Sequence, residues 1–206
     1  MDNLRAIVFD IDGVILDHQI GNNYLWLRNI NKDFNVSPDV IKKLHNDVES
    51  WKLLSLGKIK LIDYLNDFLK KENISNISGA ELVQYFVKND DNIRNYMIKE
   101  IDILRNKHKY QICIGTHQEP NKGEYLWNNK GLKNHFDYFF TSYDVGFLKT
   151  DDGFYEKISD ILKLKNEEIL LIDDKKKNVD KAISCGWNGY LYTTFDDIKN
   201  NLFSRL

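Results

Sequence analysis

Short apolar runs alternate with amphipathic stretches through the second half of the chain, and one further apolar run lies near its start. Each run has the length of a strand that is buried on both faces of a sheet. The runs lie at residues 6–9, 110–115, 138–141, 169–172 and 190–193. The stretches with helical periodicity lie at residues 93–107, 119–130, 154–162 and 178–185. This alternation predicts an α/β fold, a Rossmann-like doubly wound parallel sheet with helices on both faces.

The stretch from about His18 to Lys88 has a different pattern, because its periodicity is helical throughout. It separates the first predicted strand from all the others, which indicates an inserted domain rather than part of the sheet. We therefore expect an α/β core domain made of residues 1–15 and 90–206, with a helical cap domain at residues 16–89.

Local signals predict where individual helices begin or end. Ser37 and Pro38 indicate a helix start, because proline is favoured at the first helical position. Ser78 and Glu81 have the spacing of a capping box. Gly186 is expected to end the helix that precedes it.

Composition argues against several function classes. The chain has 206 residues, enough for one core with an insertion, and its formal net charge of -2 gives no general attraction to nucleic acid or membrane. No apolar run approaches the ~20 residues of a membrane helix, and no secretory signal is evident. Cys113 and Cys185 lie in strand-like and helix-like runs, which fits a reducing compartment. We expect a cytoplasmic monomer or homodimer that binds neither nucleic acid nor membrane.

Paired carboxylates follow two of the predicted strands. Asp10 and Asp12 come after the first apolar run, and Asp173 and Asp174 come after the run at 169–172. Ligands of parallel sheets bind beyond the carboxyl ends of the strands, so neighbouring strands would bring these four groups into one crevice. Like charges at such a distance favour a shared cation, and oxygen-rich clusters suit Mg²⁺. The pattern predicts a site that combines Mg²⁺ with an anionic substrate.

Four short motifs occur in a fixed order, each at a strand end or a helix start. They are Asp-Ile-Asp-Gly-Val (10–14), Ile-Gly-Thr (114–116), Gly-Phe-Leu-Lys (146–149) and Ile-Asp-Asp-Lys-Lys-Lys-Asn-Val (172–179). Together they resemble the haloacid dehalogenase superfamily of hydrolases, and the wording from Phe136 to Lys149 resembles its subfamily with a helical cap after the first strand. The resemblance implies a Mg²⁺-dependent phosphatase that hydrolyses a small phosphomonoester, such as a sugar phosphate, through an aspartyl-phosphate.

The same resemblance gives roles to individual side chains. Asp10 would be the nucleophile, already ionised at neutral pH, and Asp12 would be the general acid and base, with a pKa raised by the nearby carboxylates. Thr116 and Lys149 would complete the catalytic set. The expected phosphate contacts are Asp12, Gly13, Thr116, His117 and Lys149. The expected metal ligands are Asp10, the backbone carbonyl of Asp12, Asp173 and Asp174.

The sequence departs from the family pattern at a few positions. His117 stands where members commonly have asparagine, and Thr150 and Asp152 stand where prolines are frequent. Neither change removes a catalytic group. The basic run 175–177 is interpreted as a solvated face, with attraction of phosphate as the less favoured alternative.

Other interpretations remain open from the sequence. An aspartate after a strand is often a turn or capping residue, and aromatic residues at helical spacing are more often core than substrate contacts. The second point applies to Trp26, His45, Trp51 and Tyr64 of the predicted cap. A phosphomutase would keep the same core residues, a phosphonate-cleaving relative would need a cap lysine, and a catalytically weak relative would act as a binding module. A receiver domain also uses an acidic cluster but has no helical insertion.

Overall fold

A computed structural model describes residues 3–21, 23–107 and 109–206. Its strands are β1 (Ala6–Phe9), β2 (Leu16–Asp17), β3 (Gln19–Ile20), β4 (Asn23–Tyr24), β5 (Asn92–Ile93), β6 (Gln111–Thr116), β7 (Tyr138–Thr141), β8 (Ile169–Asp173) and β9 (Asn188–Leu191). Its α-helices are α1 (Ile30–Phe34), α2 (Pro38–Lys42), α3 (Val48–Ser55), α4 (Leu61–Lys71), α5 (Gly79–Asn89), α6 (Asn95–Asn106), α7 (Pro120–Glu124), α8 (Ser142–Val145), α9 (Asp152–Leu162), α10 (Lys176–Ser184) and α11 (Phe195–Asn201). Short 3₁₀ segments lie at Leu25–Leu27, Lys43–Asn46, Leu132–Asn134, Asn166–Glu168 and Phe203–Arg205, and a π-helical turn lies at Tyr125–Asn129.

The central sheet is parallel, and its spatial order is β7-β6-β1-β8-β9. Phe9, the last residue of β1, lies opposite Ile114 on β6 and Ile172 on β8. Strands β1 and β8 therefore end at the same edge, where Asp10 follows β1 and Asp173 is the last residue of β8. The switch point of the sheet lies between β1 and β8, where the strand order reverses, and such folds bind ligands at this position. The predicted doubly wound α/β fold is confirmed.

Both faces of β1 are buried, which explains its continuous apolar sequence. Ile7 and Phe9 pack into a hydrophobic cluster that includes residues of α6 and α11. Ala6 and Val8 point the other way, into a cluster with residues of α9 and α10. Because side chains alternate between the two faces of a strand, helices on both sides require apolar residues at every position.

Helices α1 to α5 pack around a third hydrophobic cluster, which includes Trp26, Leu65 and Leu82. We call residues 16–89 the cap; the limits of this domain stay a prediction. The capping box of α5 is present, since Ser78 Oγ accepts from the backbone N–H of Glu81 and the Glu81 carboxylate accepts from the backbone N–H of Ser78.

The start of the cap differs from the prediction. The expectation of helix from about His18 was wrong, because β3 and β4 form a small antiparallel pair and the first helical turn begins at Leu25. Strand β2 also pairs antiparallel with β5, at the return to the core. Two-residue strands are too short to show a period of two in the sequence.

Two elements of the core lie elsewhere than expected. Strand β9 occupies 188–191, two residues before the predicted run at 190–193, because Leu170 to Asp173 pair with Asn188 to Leu191. The helix predicted at 119–130 is α7 followed by the π-helical turn. Gly186 ends α10 with φ +85, as predicted.

Arg94 joins the two linkers between cap and core, which comprise residues 13–17 and 90–94. Its Nη2 lies 2.6 Å from Asp17 Oδ1, and its Nη1 donates to the carbonyl oxygens of Gly13 and Val14. The outgoing and returning chains are thus held side by side. In the part of the chain that the structure describes, no helix is long and apolar enough to cross a membrane.

Candidate active site

The carboxyl edge of the sheet opens into a cavity of about 230 Å³. The predicted residues that form its wall are Asp10, Asp12, Thr116, His117, Lys149 and Asp174. They come from the loops after β1 and β8, from the last residue of β6 and the residue after it, and from the segment before α9. Residues more than 100 positions apart in the chain meet here because neighbouring parallel strands end at one edge.

Three carboxylates lie close enough together to share a cation. Asp10, Asp173 and Asp174 each offer an oxygen, and these oxygens lie within 4.8 Å of one another. Asp173 is fully buried, and Asn178 Nδ2 donates to both of its oxygens at 3.1 and 3.0 Å. Burial alone would raise the pKa of Asp173, but the charge of Lys149 and these hydrogen bonds hold that pKa below its usual value.

Lys149 lies between two of these carboxylates. Its Nζ is 2.7 Å from Asp10 Oδ1 and 2.8 Å from Asp173 Oδ2, and the side chain is 1% exposed. Burial raises the pKa of Asp10 to about 8, with a contribution from the charge of Asp173 and against the opposing charge of Lys149. Lys149 alone therefore does not offset the burial of Asp10, and the expectation that Asp10 is ionised at neutral pH stays a prediction.

Two side chains that sequence reasoning missed hold the carboxylate of Asp12. Lys122 Nζ lies 3.3 Å from Asp12 Oδ1, and Gln118 Nε2 donates to Oδ2 at 2.6 Å. Burial raises the pKa of Asp12, but Lys122, His18 and the Gln118 hydrogen bond together bring it below its usual value. The expected upward shift was wrong, since the charge nearest to Asp12 is a lysine and not another carboxylate.

His117 supports the loop that carries Lys149. It follows Thr116, the buried last residue of β6, and its Nε2 accepts from the backbone N–H of Lys149. Its carbonyl oxygen accepts from Ser55 Oγ, at the end of cap helix α3, at 3.2 Å. Burial and the charge of Lys149 lower the pKa of His117 to about 3, so the ring is neutral at pH 7. This residue connects the cap to the edge of the site.

Gly13 lets the loop after β1 approach Asp174. Its φ is +86, and a Cβ atom at this position would lie 2.4 Å from Asp174 Oδ2. That oxygen pairs with Lys175 Nζ at 2.7 Å, whereas Oδ1 is buried and has no hydrogen-bond partner among the described residues. A buried carboxylate oxygen without a partner needs a compensating positive group. In a cluster of three carboxylates, a hard divalent cation suits this need.

The three lysines of the basic run after Asp174 are exposed, as expected of a solvated face, but two of them also lie at the cavity. Lys175 and Lys177 line the cavity, whereas Lys176 forms a surface pair with Asp180. His18, which lies between β2 and β3 at the start of the cap, also lines the cavity. No periodicity or motif in the sequence distinguishes His18 from other polar residues of the cap.

The aromatic residues considered in the cap belong to its interior or its surface contacts. Trp26 lies in the buried cap cluster, and Trp51 and Tyr64 pack against that cluster. The ring of His45 stacks on Tyr24 at 3.9 Å and on Trp51 at 5.6 Å between ring centres. None of the four appears among the described residues that form the cavity wall. These four residues are therefore better interpreted as packing residues than as substrate contacts.

Four of the five strands of the central sheet, together with the four site motifs, match one known family. A family model described as haloacid dehalogenase-like hydrolase covers residues 4–186. The chain belongs to this family. This haloacid dehalogenase-like (HAD-like) hydrolase is accordingly an enzyme, and the resemblance seen in its motifs is confirmed. No curated protein is significantly similar to it in sequence.

Solved structures of HAD proteins share this fold over nearly the whole chain. The HAD family enzyme BT-2542 from Bacteroides thetaiotaomicron, in complex with magnesium and inorganic phosphate, has a TM-score of 0.74 at 14% identity and covers 97% of this chain and 99% of its own. A HAD-like family hydrolase from Porphyromonas gingivalis has a TM-score of 0.77 at 18% identity, with 98% of each chain covered. The L-2-haloacid dehalogenase RSc1362 has a TM-score of 0.70 at 17% identity, covering 94% of this chain and 88% of its own.

Proposed function

We propose that this HAD-like hydrolase is a Mg²⁺-dependent phosphatase that acts on a small phosphomonoester through an aspartyl-phosphate on Asp10. The observation that carries the proposal is the cluster of three carboxylates within 4.8 Å, adjoining the buried Lys149. Such a site suits a hard cation together with a phosphoryl group. The magnesium and inorganic phosphate in the structure of the BT-2542 enzyme support it.

The residues present fit a magnesium ion. Asp10, Asp173, Asp174 and the backbone carbonyl of Asp12 would hold it. The unpaired Oδ1 of Asp174 and the raised pKa of Asp10 both mark negative charge that the described side chains leave uncompensated. When bound, Mg²⁺ supplies positive charge that offsets the repulsion between these carboxylates and a phosphoryl group.

In the first step, Asp10 would attack phosphorus. Its Oδ1 accepts from the backbone N–H of Ile11 at 2.8 Å and pairs with Lys149, which leaves Oδ2 for the attack. The bond from Oδ2 to phosphorus forms as the bond from phosphorus to the leaving oxygen breaks, and Asp12 gives its proton to that oxygen. The negative charge of the bound substrate raises the pKa of Asp12 for this role.

In the second step, water would attack the phosphorus of the aspartyl-phosphate. Asp12 accepts a proton from the water, the bond between phosphorus and Asp10 breaks, and inorganic phosphate leaves. Asp12 is a carboxylate at this point, because it gave its proton to the leaving oxygen in the first step. Thr116 and Lys149 would bind phosphoryl oxygens in both steps, with further contacts from the loops at Gly13 and His117.

The substrate would be a small phosphorylated metabolite in the cytoplasm. The cavity of about 230 Å³ has room for a phosphoryl group and a small leaving group. The contact between Ser55 and His117 brings the cap against the rim of this cavity. Cap closure of this kind excludes water before the attack. We expect the enzyme to act as a monomer or homodimer.

Release of inorganic phosphate from a panel of small phosphomonoesters with Mg²⁺ tests the proposal. We expect release by the parental enzyme, loss with EDTA and recovery with added Mg²⁺. Asp10→Asn should release none, whereas Asp63→Asn, a charge change at an exposed cap residue, should keep the parental rate. Mass spectrometry after an acid quench should find the phosphoryl group on Asp10.

Three results would contradict the proposal. Phosphate release by Asp10→Asn at the parental rate would refute the assigned nucleophile. Halide release from a 2-haloacid without any phosphate release would indicate a dehalogenase. Transfer of the phosphoryl group between two hydroxyls of one sugar phosphate would indicate a phosphomutase.

A further inference from the structure

Lys122 is a buried cation outside the four motifs. It lies in α7, and its side chain is 2% exposed. Its Nζ forms an ion pair with Asp90 Oδ2, lies 3.3 Å from Asp12 Oδ1 and is 5.1 Å from the ring centre of Phe86. A lysine ammonium is costly to bury unless carboxylates compensate it. The two aspartates therefore determine where this ammonium lies, and the ammonium in turn constrains them.

The contacts of Lys122 join three parts of the chain. Asp12 belongs to the loop after β1, Lys122 to the core helix α7, and Asp90 directly follows α5, the last helix of the cap. Phe86 lies one turn earlier in α5. The ammonium thus links the carboxylate at the reaction centre to the point at which the chain returns from the cap.

Both oxygens of Asp12 are engaged. Lys122 approaches Oδ1, and Gln118 donates to Oδ2 at 2.6 Å. Lys122 itself is fixed at the start of α7, where its backbone N–H donates to Glu119 Oε1 at 2.6 Å. Two contacts on opposite oxygens set the plane of a carboxylate as well as its position. Asp12 lines the cavity, while Lys122 lies behind it.

We propose that Lys122 is a positioning residue: together with Asp90 it holds the Asp12 carboxylate where it can exchange a proton with the leaving-group oxygen. This inference rests on the proposed phosphatase function. Proton exchange needs an approach of about 2.6–3.2 Å between heavy atoms. A displacement of about 1 Å costs on the order of 100-fold in rate.

Substituted phenyl phosphates give a direct test, because they differ in leaving group but little in size. p-Nitrophenolate leaves without protonation, whereas phenolate and p-methoxyphenolate need a proton as they leave. The double variant Lys122→Met/Asp90→Asn removes the ion pair without leaving either charge buried alone. We expect kcat/KM for p-nitrophenyl phosphate to stay near the parental value. For p-methoxyphenyl phosphate we expect it to fall by about 100-fold.

A neighbouring, more exposed ion pair provides a control for the loss of a contact between the core and the returning linker. Lys130 Nζ lies 2.9 Å from Asp91 Oδ2, so this pair also connects the core to the returning linker, yet neither residue contacts Asp12 within the described chain. Lys130→Met/Asp91→Asn should retain the parental dependence of kcat/KM on the leaving group. If the first double variant does not fold, Asp90→Asn alone, which removes the anchor of Lys122, should show a smaller loss of the same selective kind.

The outcomes separate this inference from the function on which it rests. A selective loss for poor leaving groups in the Lys122 variant, absent from the Lys130 variant, supports the positioning role. Equal losses for all phenyl phosphates, or no loss for any, overturn it and leave the phosphatase proposal standing. Failure of the parental enzyme to hydrolyse any phenyl or metabolite phosphate overturns both.

Discussion

At the scale of single residues, Gly13 leaves no room for a side chain beside Asp174. A Cβ atom there would lie 2.4 Å from Asp174 Oδ2 and 2.6 Å from its Cγ, at a φ of +86. We predict that Gly13→Ala moves Asp174 away from Asp10 and Asp173. The concentration of Mg²⁺ that gives half-maximal activity should then rise about tenfold or more, as for other changes that displace a metal ligand.

A second glycine separates this effect from backbone strain. Gly186 has φ +85, but the nearest atom to its Cβ position is a side-chain carbon of Asn166 at 3.3 Å, far from the site in the chain. Gly186→Ala should lower the free energy of unfolding about as much as Gly13→Ala does through backbone strain, of order 1–2 kcal/mol for a left-handed residue. It should not change the Mg²⁺ requirement. A titration of activity with Mg²⁺ checks both variants. Equal Mg²⁺ requirements would contradict the proposed role of Asp174 as a ligand.

The sequence alone was sufficient to place residues at the ends of strands together in one site. It was not sufficient to identify the side chains that contact them. Asp10, Thr116 and Asp173 could be placed together because parallel strands end at one edge of the sheet. Lys122 and Asp90 could not, since nothing local distinguishes Lys122 from the other basic residues of the chain. Its burial and its two partners arise only when α7 packs against the returning linker.

At the scale of elements, we expect the stability of the cap to depend on pH through His45, which stacks on Tyr24 and Trp51. Burial, and to a smaller extent the charge of His18, lowers the pKa of His45 to about 4. In the unfolded chain the histidine pKa is about 6.5, so the folded state binds fewer protons below that pH. The contribution of His45 to stability is complete above about pH 6.5 and is lost as the pH falls from there toward 4.

We predict that His45→Phe removes this contribution to the pH dependence. Phenylalanine can still stack between the two aromatic rings but does not titrate. Urea unfolding midpoints measured from pH 4 to pH 8 should therefore decline less steeply below pH 6.5 in the variant than in the parental protein. At pH 8, where His45 is neutral, the two proteins should differ little. If the urea midpoints of the two proteins decline in parallel over the acidic range, the stack does not favour the neutral form of His45.

Elements could be predicted where burial produces a clear apolar run in the sequence. They could not be predicted where pairing with another strand determines the position of the element. The apolar runs found β1, β6 and β8 because these strands are buried on both faces. They also found the edge strand β7, in which only the last two residues are buried. Strand β9 begins with Asn188 and Gly189, so its first half carries no apolar signal, and its pairing with β8 fixes it instead. The two-residue strands at the cap boundary exist only through their pairing, β2 with β5 across the linkers and β3 with β4 in a local hairpin.

At the scale of the whole molecule, the site depends on how the cap is held against the core. Two linkers connect them, and Arg94 spans both: its guanidinium contacts Asp17 and the carbonyl oxygens of Gly13 and Val14. Gly13 and Val14 directly follow Asp12, so the same guanidinium fixes the path of the loop that carries the proposed acid and base. The planar fork of arginine suits several acceptors at once, which a lysine would not reproduce.

We predict that Arg94→Met loosens both linkers and lowers kcat/KM for p-nitrophenyl phosphate by roughly 10- to 100-fold, because the loop after β1 loses its fixed position. Hydrogen exchange should become faster at residues 13–17 and 90–94. Arg105→Met is the matched control, since Arg105 also pairs with an aspartate (Asp137) and donates to a carbonyl oxygen, that of Asn134, but within the core. That variant should keep the parental kcat/KM and linker exchange. Similar losses in both variants would mean that a general loss of stability, and not the junction of cap and core, accounts for the effect.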